Sequence, residues 1–452
     1  MRETHSLTEG KILSPLVRFA LPVLLALFLQ AMYGAVDLWV VGQFGAPTDV
    51  SAVSTGSQIL HTITIVITGL SMGITILIGQ RIGEKRPEEA GRAIGSGICL
   101  FAALAVALTV VMLFAADPLA ALMRAPAAAF AQTVGYVRVC SAGAVFIIAY
   151  NVLGSIFRGI GDSRMPLITV AIACVLNIAG DLLFVAAFHM GVEGAALATV
   201  LAQAVSVLLS LLIIRRRKLP FPFQRRFLRF DGGLIRKILV LGAPIALQDL
   251  LVSISFLVIL AIVNSLGLIA SAGMGVAEKL CAFIMLVPSA YMQSMSAFVA
   301  QNVGARQPAR ARRALFYSIL TSLLVGFVMA YLAFFHGALL SGLFAKDAEV
   351  ILAAASYLGA YAIDCMLTPF LFCFMGYFNG YGKTLFVMLQ GIVGAFGVRI
   401  PVSYLMSRIA GVSLFQIGLA TPCSTVVQIL LCLGYFVLLR RGESASARAV
   451  AR

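Results

Sequence analysis

Gln80 to Ala93 reads QRIGEKRPEEAGRA, and Gln301 to Ala314 reads QNVGARQPARARRA. The two stretches match at Gln, an aliphatic position, Gly, a basic position, Pro, Ala, Arg and Ala, and lie 221 residues apart. The same offset carries Phe157, Gly159 and Gly161 (FRGIG) onto Phe378, Gly380 and Gly382 (FNGYG), and Tyr136 onto Tyr357. An offset of 222 carries Pro22 onto Pro244 and Gly45 onto Gly267. Registry held at several unrelated landmarks marks an internal duplication. The chain therefore reads as two homologous halves, with its function expected between them.

Of the 452 residues 61% are hydrophobic and 11% charged, and the mean hydropathy is +1.02. That is too apolar for a water-soluble globular chain of this length, so the sequence specifies an integral membrane protein. The net charge of +15 sits in short islands between apolar stretches. Orientation by the positive-inside rule explains such islands better than a nucleic-acid partner does, and none is expected. The eight cysteines lie in or beside apolar segments without a CxxC pair, and read as small hydrophobes. The opening MRETHSLTEGKILSPLVRF lacks the short apolar core and cleavage site of a signal peptide, so the first apolar segment is expected to be retained.

A helix needs roughly 20 apolar residues to cross a bilayer. Segmenting at the charged islands gives six such stretches per half: 15–42, 53–79, 94–116, 133–157, 165–188 and 193–214, then 238–265, 275–300, 314–336, 351–378, 384–407 and 413–439. Basic residues follow every even-numbered stretch: Arg81, Lys85, Arg86 and Arg92; Arg158 and Arg164; nine Lys/Arg between Arg215 and Lys237; Arg306, Arg310, Arg312 and Arg313; Lys383; Arg440 and Arg441. The odd-numbered exits, around Gly45, Asp117, His189, Gly267, Gly337 and Gly411, are nearly bare of them. Both termini are thus expected in the cytoplasm. An even number of spans per half makes the halves parallel repeats, related by an axis along the membrane normal. The expected organisation is a six-helix bundle over 1–214, a basic cytoplasmic linker over 215–237, a second six-helix bundle over 238–440 and a cytoplasmic tail over 441–452. Two bundles joined by a polar linker are the plan of a secondary transporter working by alternating access; no filter loop of a channel stands out.

Ionisable side chains within spans are costly and mark a cavity, a partner or a pathway. Here they are Asp37, His61, Asp181, Asp249, Glu278, Lys279, Asp364 and Arg399. Gln30, Tyr33 and Asp37 share a face of the first span by their spacing of three and four, as Asn177 and Asp181 do on the fifth and Thr199 and Gln203 on the sixth. At about 1.5 Å per residue, Asp37 lies about 28 Å beyond Arg18, Asp181 about 25 Å beyond Arg164 and Thr199 about 24 Å inward of Arg215. All reach one level, which predicts a single polar cluster in the first bundle. Two carboxylates among amide and hydroxyl oxygens bind one proton strongly, because both cannot stay charged side by side, or coordinate a small hard cation such as Na⁺. A purely structural hydrogen-bond network is the plainer alternative.

The second half does not copy this cluster. At the repeat offset Asn177 and Asp181 fall on Val398 and Val402, and Asp37 falls near Ile259. Arg399 stands at comparable depth instead, with Asp364 as its expected ion-pair partner. Asp249 and Glu278 are placed to attract cationic substrate, and His61 reads as a helix-packing residue. Pro22 and Pro244 interrupt the first span of each half, where a missing backbone hydrogen bond permits a kink. A bend at Pro22 driven by protonation of Asp37 is one reading, and a static kink the other.

The GAVDLWVVGQFG stretch around Asp37, the doubled QxxG(x)₃P(x)₂A signature and the FRGIGDSRMP turn at Phe157 resemble the multidrug and toxin extrusion (MATE) family, in matching order along essentially the whole chain. The resemblance implies an all-α membrane protein of 12 transmembrane helices in two parallel six-helix bundles, V-shaped, and an antiporter of cationic and amphipathic compounds driven by H⁺ or Na⁺. It is nearest to the bacterial DinF-like branch. There the coupling positions correspond to Asp37, Asn177 and Asp181, with Tyr33, Thr199 and the kink proline Pro22 in support; Na⁺ would sit at Asp37, Asn177, Asp181 and Thr199. Gln30, Tyr136 and Asn151 match positions lining the substrate cavity. A second branch relies on a glutamate eight residues after the proline of the seventh helix, a position held here by Val252, three residues beyond Asp249. No cofactor is implied beyond the coupling ion, the partners are the bilayer and small organic substrates, and a monomer in the plasma (inner) membrane is expected. The competing reading is a lipid-linked oligosaccharide flippase of the same superfamily. Such relatives carry a cavity rich in Arg and Lys, and only Lys279 and Arg399 are candidates here. An enzyme is not indicated: the chain has no HExxH and no Gly-rich phosphate loop after a strand.

Overall fold

The structure, a computed structural model, describes residues 7–216 and 224–450, side chains of 443–450 excepted; 217–223 of the basic linker and the last two residues of the tail lie outside the described residues. Every regular element among the described residues is helical. Spans 1 to 3 are Leu13–Phe44, Pro47–Gly83 and Pro87–Leu122; span 4 is the bent pair Ala127–Ala142 and Ala144–Ile160; spans 5 and 6 are Arg164–Ala187 and Gly191–Arg216. Spans 7 to 12 are Gly232–Asn264, Leu268–Gly304, Pro308–Phe335, Ala348–Gly380, Thr384–Ser407 and Leu414–Gly442. All twelve apolar stretches expected from hydropathy are present as helices, most of them longer at both ends.

Lipid offers no partner to a free peptide group, so each segment satisfies its own backbone. The 57° bend of span 4 falls at Gly143, which lies so close to Val200 of span 6 that a Cβ there would clash with its methyl groups. Spans 5 and 11 each contain a π-helical stretch, Leu182–Ala187 and Val393–Arg399. Span 1 continues through Pro22 and span 7 through Pro244.

The sequence duplication is repeated in the backbone. Span 2 ends with Lys85 at φ +58° and span 8 with Arg306 at φ +56°, a conformation rare for non-glycine residues. The same six-residue closing bond follows in each, Arg86 N–H to Arg81 C=O at 3.0 Å and Gln307 N–H to Asn302 C=O at 2.8 Å. Pro87 and Pro308, with fixed φ and no N–H to satisfy, then open the next helices. The FRGIG and FNGYG turns agree likewise: Gly161 has φ +94° and Gly382 φ +72°, each followed by a 2.9 Å closing bond.

By compactness the chain divides into Met1–Leu247 with Ser296–Arg310, and Gln248–Met295 with Ala311–Arg452. The first unit therefore holds spans 1 to 6 and the adjoining parts of spans 7 and 8. Inside it the two QxxG signatures cross each other. A Cβ on Gly83 would clash with the carbonyl of Gln301, and a Cβ on Gly304 with the carbonyl of Gln80. Each signature glycine is the seat for the other signature's glutamine backbone, the close approach that small residues allow between membrane helices. Gln301 Nε2 donates to Gly159 C=O at 3.0 Å, tying the crossing to the FRGIG turn. Beside it, the Arg310 guanidinium donates to the carbonyls of Leu7, Glu9, Gly10 and Lys11, fastening the start of the described chain. Close packing accounts for the pattern that first divided the sequence.

Candidate functional site

Span 1 presents Asp37 to spans 5 and 6, which pack along it and along each other. Gly180 on span 5 lets span 6 come close: a Cβ there would lie 2.9 Å from that of Ala198. This contact brings Asp181 and Thr199, the next residue on each helix, to one level. Asp37, Asn177 and Asp181 are 5%, 1% and 0% exposed. The carboxyl groups of Asp37 and Asp181 are direct electrostatic neighbours. No donor reaches Asp37 Oδ1 or either oxygen of Asp181. Asn177 donates from Nδ2 to Thr199 Oγ1 at 3.3 Å, which leaves Asn177 Oδ1 unfilled. Tyr33 is hydrogen-bonded to Gln203, whose Oε1 has no donor either. No lysine or arginine is among the electrostatic neighbours of the two carboxyls.

The unfilled atoms are all oxygens: three of carboxyl groups and two of amides. Such a set, buried and without a fixed cation, has the chemistry to take up a proton or a small hard cation. Among the described residues no three His, Cys, Asp or Glu side chains cluster, so the acidic donors number two. The π-helical turn begins immediately after Asp181 and loosens the regular backbone bonding at this point, as such turns frequently do at functional sites.

The remaining sequence candidates are dispersed. Tyr136 is buried beside the carboxyls, with Asp37, Asp181 and Tyr33 as electrostatic neighbours, and its ring lies against Gly56, where a Cβ would come within 2.5 Å. It thus stands with the coupling candidates. Asn151, half-buried, accepts from Thr68 Oγ1 at 3.3 Å and donates to Ile147 C=O at 2.8 Å. Gln30 and Pro22 are half-buried on span 1. Asp249 is half-buried on span 7, and its carbonyl accepts from Ser253. Glu278 is half-buried near Tyr357 and Cys281, while Lys279 and His61 are exposed. The exposure of His61 departs from the packing role expected of it.

The second unit has its own buried polar group. Asp364 on span 10 lies beside Thr425, whose hydroxyl donates to Thr421 C=O at 3.1 Å, and has Arg399 as a charged neighbour. Arg399 donates from Nη1 to Ser255 Oγ at 3.3 Å, and its guanidinium carbon lies 4.5 Å from the Phe256 ring centroid. The direct ion pair expected from sequence is replaced by a hydroxyl partner for Arg399 and a longer electrostatic contact between the two charges. Thr425, Ser255 and Tyr357 were not singled out for this role; the four-residue spacing of Thr421 and Thr425 on span 12 is the signal that marks one of them.

A family model described as MatE matches residues 22–183 and 244–405. The chain belongs to the MATE family. It is a transporter and not an enzyme, a multi-pass membrane protein with the all-helical MATE fold. The two matched stretches are equal in length and set 222 residues apart, a register that places Arg399 opposite Asn177 and Ser403 opposite Asp181, one residue beyond the valines given by the offset of 221. The chain is similar to the probable multidrug resistance protein YoeA of Bacillus subtilis, 27% identical with 92% of each chain covered. It is 26% identical to a FAD transporter of Shewanella oneidensis, with 99% of each covered. Among solved structures, a MOP superfamily transporter from Pyrococcus furiosus superposes with TM-score 0.90 at 23% identity, over 98% of this chain and 99% of that one.

Proposed function

We propose that this MATE transporter exports amphipathic drug-like compounds in exchange for H⁺ or Na⁺ bound at Asp37, Asn177, Asp181 and Thr199. The observation that carries the reading is the buried carboxyl pair with unfilled oxygens and no fixed cation. A single H⁺ or Na⁺ there halves the charge of the pair, and its loss leaves two like charges side by side. That cost gives ion and substrate a shared conformational equilibrium through which they antagonise one another. The names of relatives, among them the multidrug export protein MepA of Staphylococcus saprophyticus, support drugs as the substrate class. Asp249 and Glu278, both half-buried acids, favour cationic members of it. The basic islands after even-numbered spans support cytoplasmic termini in a bacterial plasma membrane. With Lys279 exposed, Arg399 is left as the one buried cation of the two considered for a flippase, which disfavours a pyrophosphate-holding cavity.

Purified protein in liposomes, loaded with a fluorescent cationic drug, tests the reading by imposing a pH gradient and a Na⁺ gradient separately. Export should follow one of the two and collapse in Asp37→Asn and Asp181→Asn proteins that still insert and fold. Equal export by wild type and Asp37→Asn would overturn it.

A further inference from the structure

Unfilled atoms in the second unit are of both signs. Asp364 is 2% and Arg399 6% exposed, yet Asp364 Oδ1 has no donor and Arg399 Nε no acceptor. Ser403, one helical turn beyond Arg399, is buried with its Oγ unpartnered as well. Opposite charges in a low-dielectric interior close onto each other when nothing else competes, because the fork of an arginine matches a carboxylate. Here the two stay apart, Arg399 donating to the neutral hydroxyl of Ser255 and Asp364 lying beside Thr425, whose proton goes to Thr421 C=O. Phe256 covers one face of the guanidinium, and Tyr357 and Tyr361, stacked with centroids 6.4 Å apart, are its electrostatic neighbours.

A ligand that completes this arrangement must bring an acceptor to Arg399 and a donor to Asp364. A simple cation would satisfy Asp364 but face Arg399, and a simple anion would do the reverse. A zwitterion satisfies both and leaves the net charge unchanged. The three aromatic rings supply flat apolar surface next to that polar pair. We propose that Asp364 and Arg399 form a substrate subsite for zwitterionic aromatic compounds, the carboxylate held by Arg399 with Ser403 beside it and the ammonium by Asp364. This selectivity rests on the export reading above but uses residues that the coupling ion does not.

The test uses one aromatic α-amino acid amphiphile in three forms, the zwitterion, its methyl ester (a cation) and its N-acetyl derivative (an anion), with full-length protein in liposomes. Wild type should export the zwitterion in preference to the anion. Charge-assisted hydrogen bonds are worth about 1.5–3 kcal/mol, so Arg399→Gln should lower zwitterion export by about tenfold or more and leave the ester within about twofold. Where a lone buried Asp364 prevents folding, the charge-balanced double variant Arg399→Gln/Asp364→Asn carries the test. In detergent the zwitterion should raise the Tm of wild type and not of this double variant. Asp37→Asn should stop export of zwitterion and ester alike; if it does not, the coupling assignment fails and the subsite stands on the Tm result. Zwitterion export and Tm shift unchanged in the double variant, or ester and zwitterion lost together, would overturn the subsite.

Discussion

The buried cluster at Asp37 and the buried cluster at Asp364 descend from duplicated halves yet solve the cost of charge in a membrane differently. At Asp37 two acids meet with amide oxygens around them, every unfilled atom is an acceptor, and no arginine or lysine is near. At Asp364 the counter-charge is built in as Arg399, and the unfilled atoms include both a donor and acceptors. Under the proposed function the first cluster borrows a cation and gives it back. The second carries its cation permanently and has no need of a mobile one for neutrality. A duplicated scaffold thereby keeps one bundle free to respond to an ion gradient and the other free to specialise.

That contrast is broken most directly by removing a charge from each side. Asp37→Asn is expected to lower ion-driven export by on the order of 100-fold with little change in thermal unfolding, since a neutral amide relieves the need for a cation. Near-normal export would erase the difference between the clusters. In the second unit the single change Arg399→Met is expected to cost about 3–5 kcal/mol of stability by stranding Asp364, whereas the double change Arg399→Met/Asp364→Leu should be near neutral. Thermal unfolding in detergent reads this, and additive losses would show that the pair does not act as a unit. Gly304→Ala sharpens the comparison with the symmetric part of the fold: the methyl meets the Gln80 carbonyl and should cost about 1–3 kcal/mol, matched by Gly83→Ala at Gln301. Thr199→Val removes the acceptor of the Asn177 amide and should cost about 1 kcal/mol of ion affinity, a fivefold shift or so in the Na⁺ or H⁺ concentration for half-maximal exchange. His61→Ala, at an exposed position, should change stability by less than about 0.5 kcal/mol.

Particular residues show how far the sequence could be read. Asp37, Asn177, Asp181 and Thr199 were legible as one cluster because helical spacing and distance from basic anchors fix depth and, roughly, face. Arg399 and Asp364 were legible as unusual, but not as an open pair. Whether two side chains on different helices touch depends on helix rotation to within tens of degrees, and here that rotation gives Arg399 to Ser255 and leaves Asp364 short of it beside Thr425. Tyr136, matched by resemblance to a substrate-cavity position, lies beside the carboxyls, a neighbourhood set by Gly56 on another span and invisible in its own segment. The doubled QxxG signature was recognised at once, though its cause could not be seen from either copy alone.

By itself the sequence determined twelve membrane helices, their division into two like halves and the level at which the charges lie. Those properties follow from local rules: lipid forces every crossing segment into a helix of set length, and a helix converts residue number into depth. Tertiary structure alone decided that Gly83 and Gly304 each receive the other signature's backbone, that Asp37 meets Asp181 across 144 residues of chain, and that Arg399 stops short of Asp364. These are contacts between helices, and they depend on how small residues let neighbouring surfaces approach and turn, which no periodicity within one segment encodes.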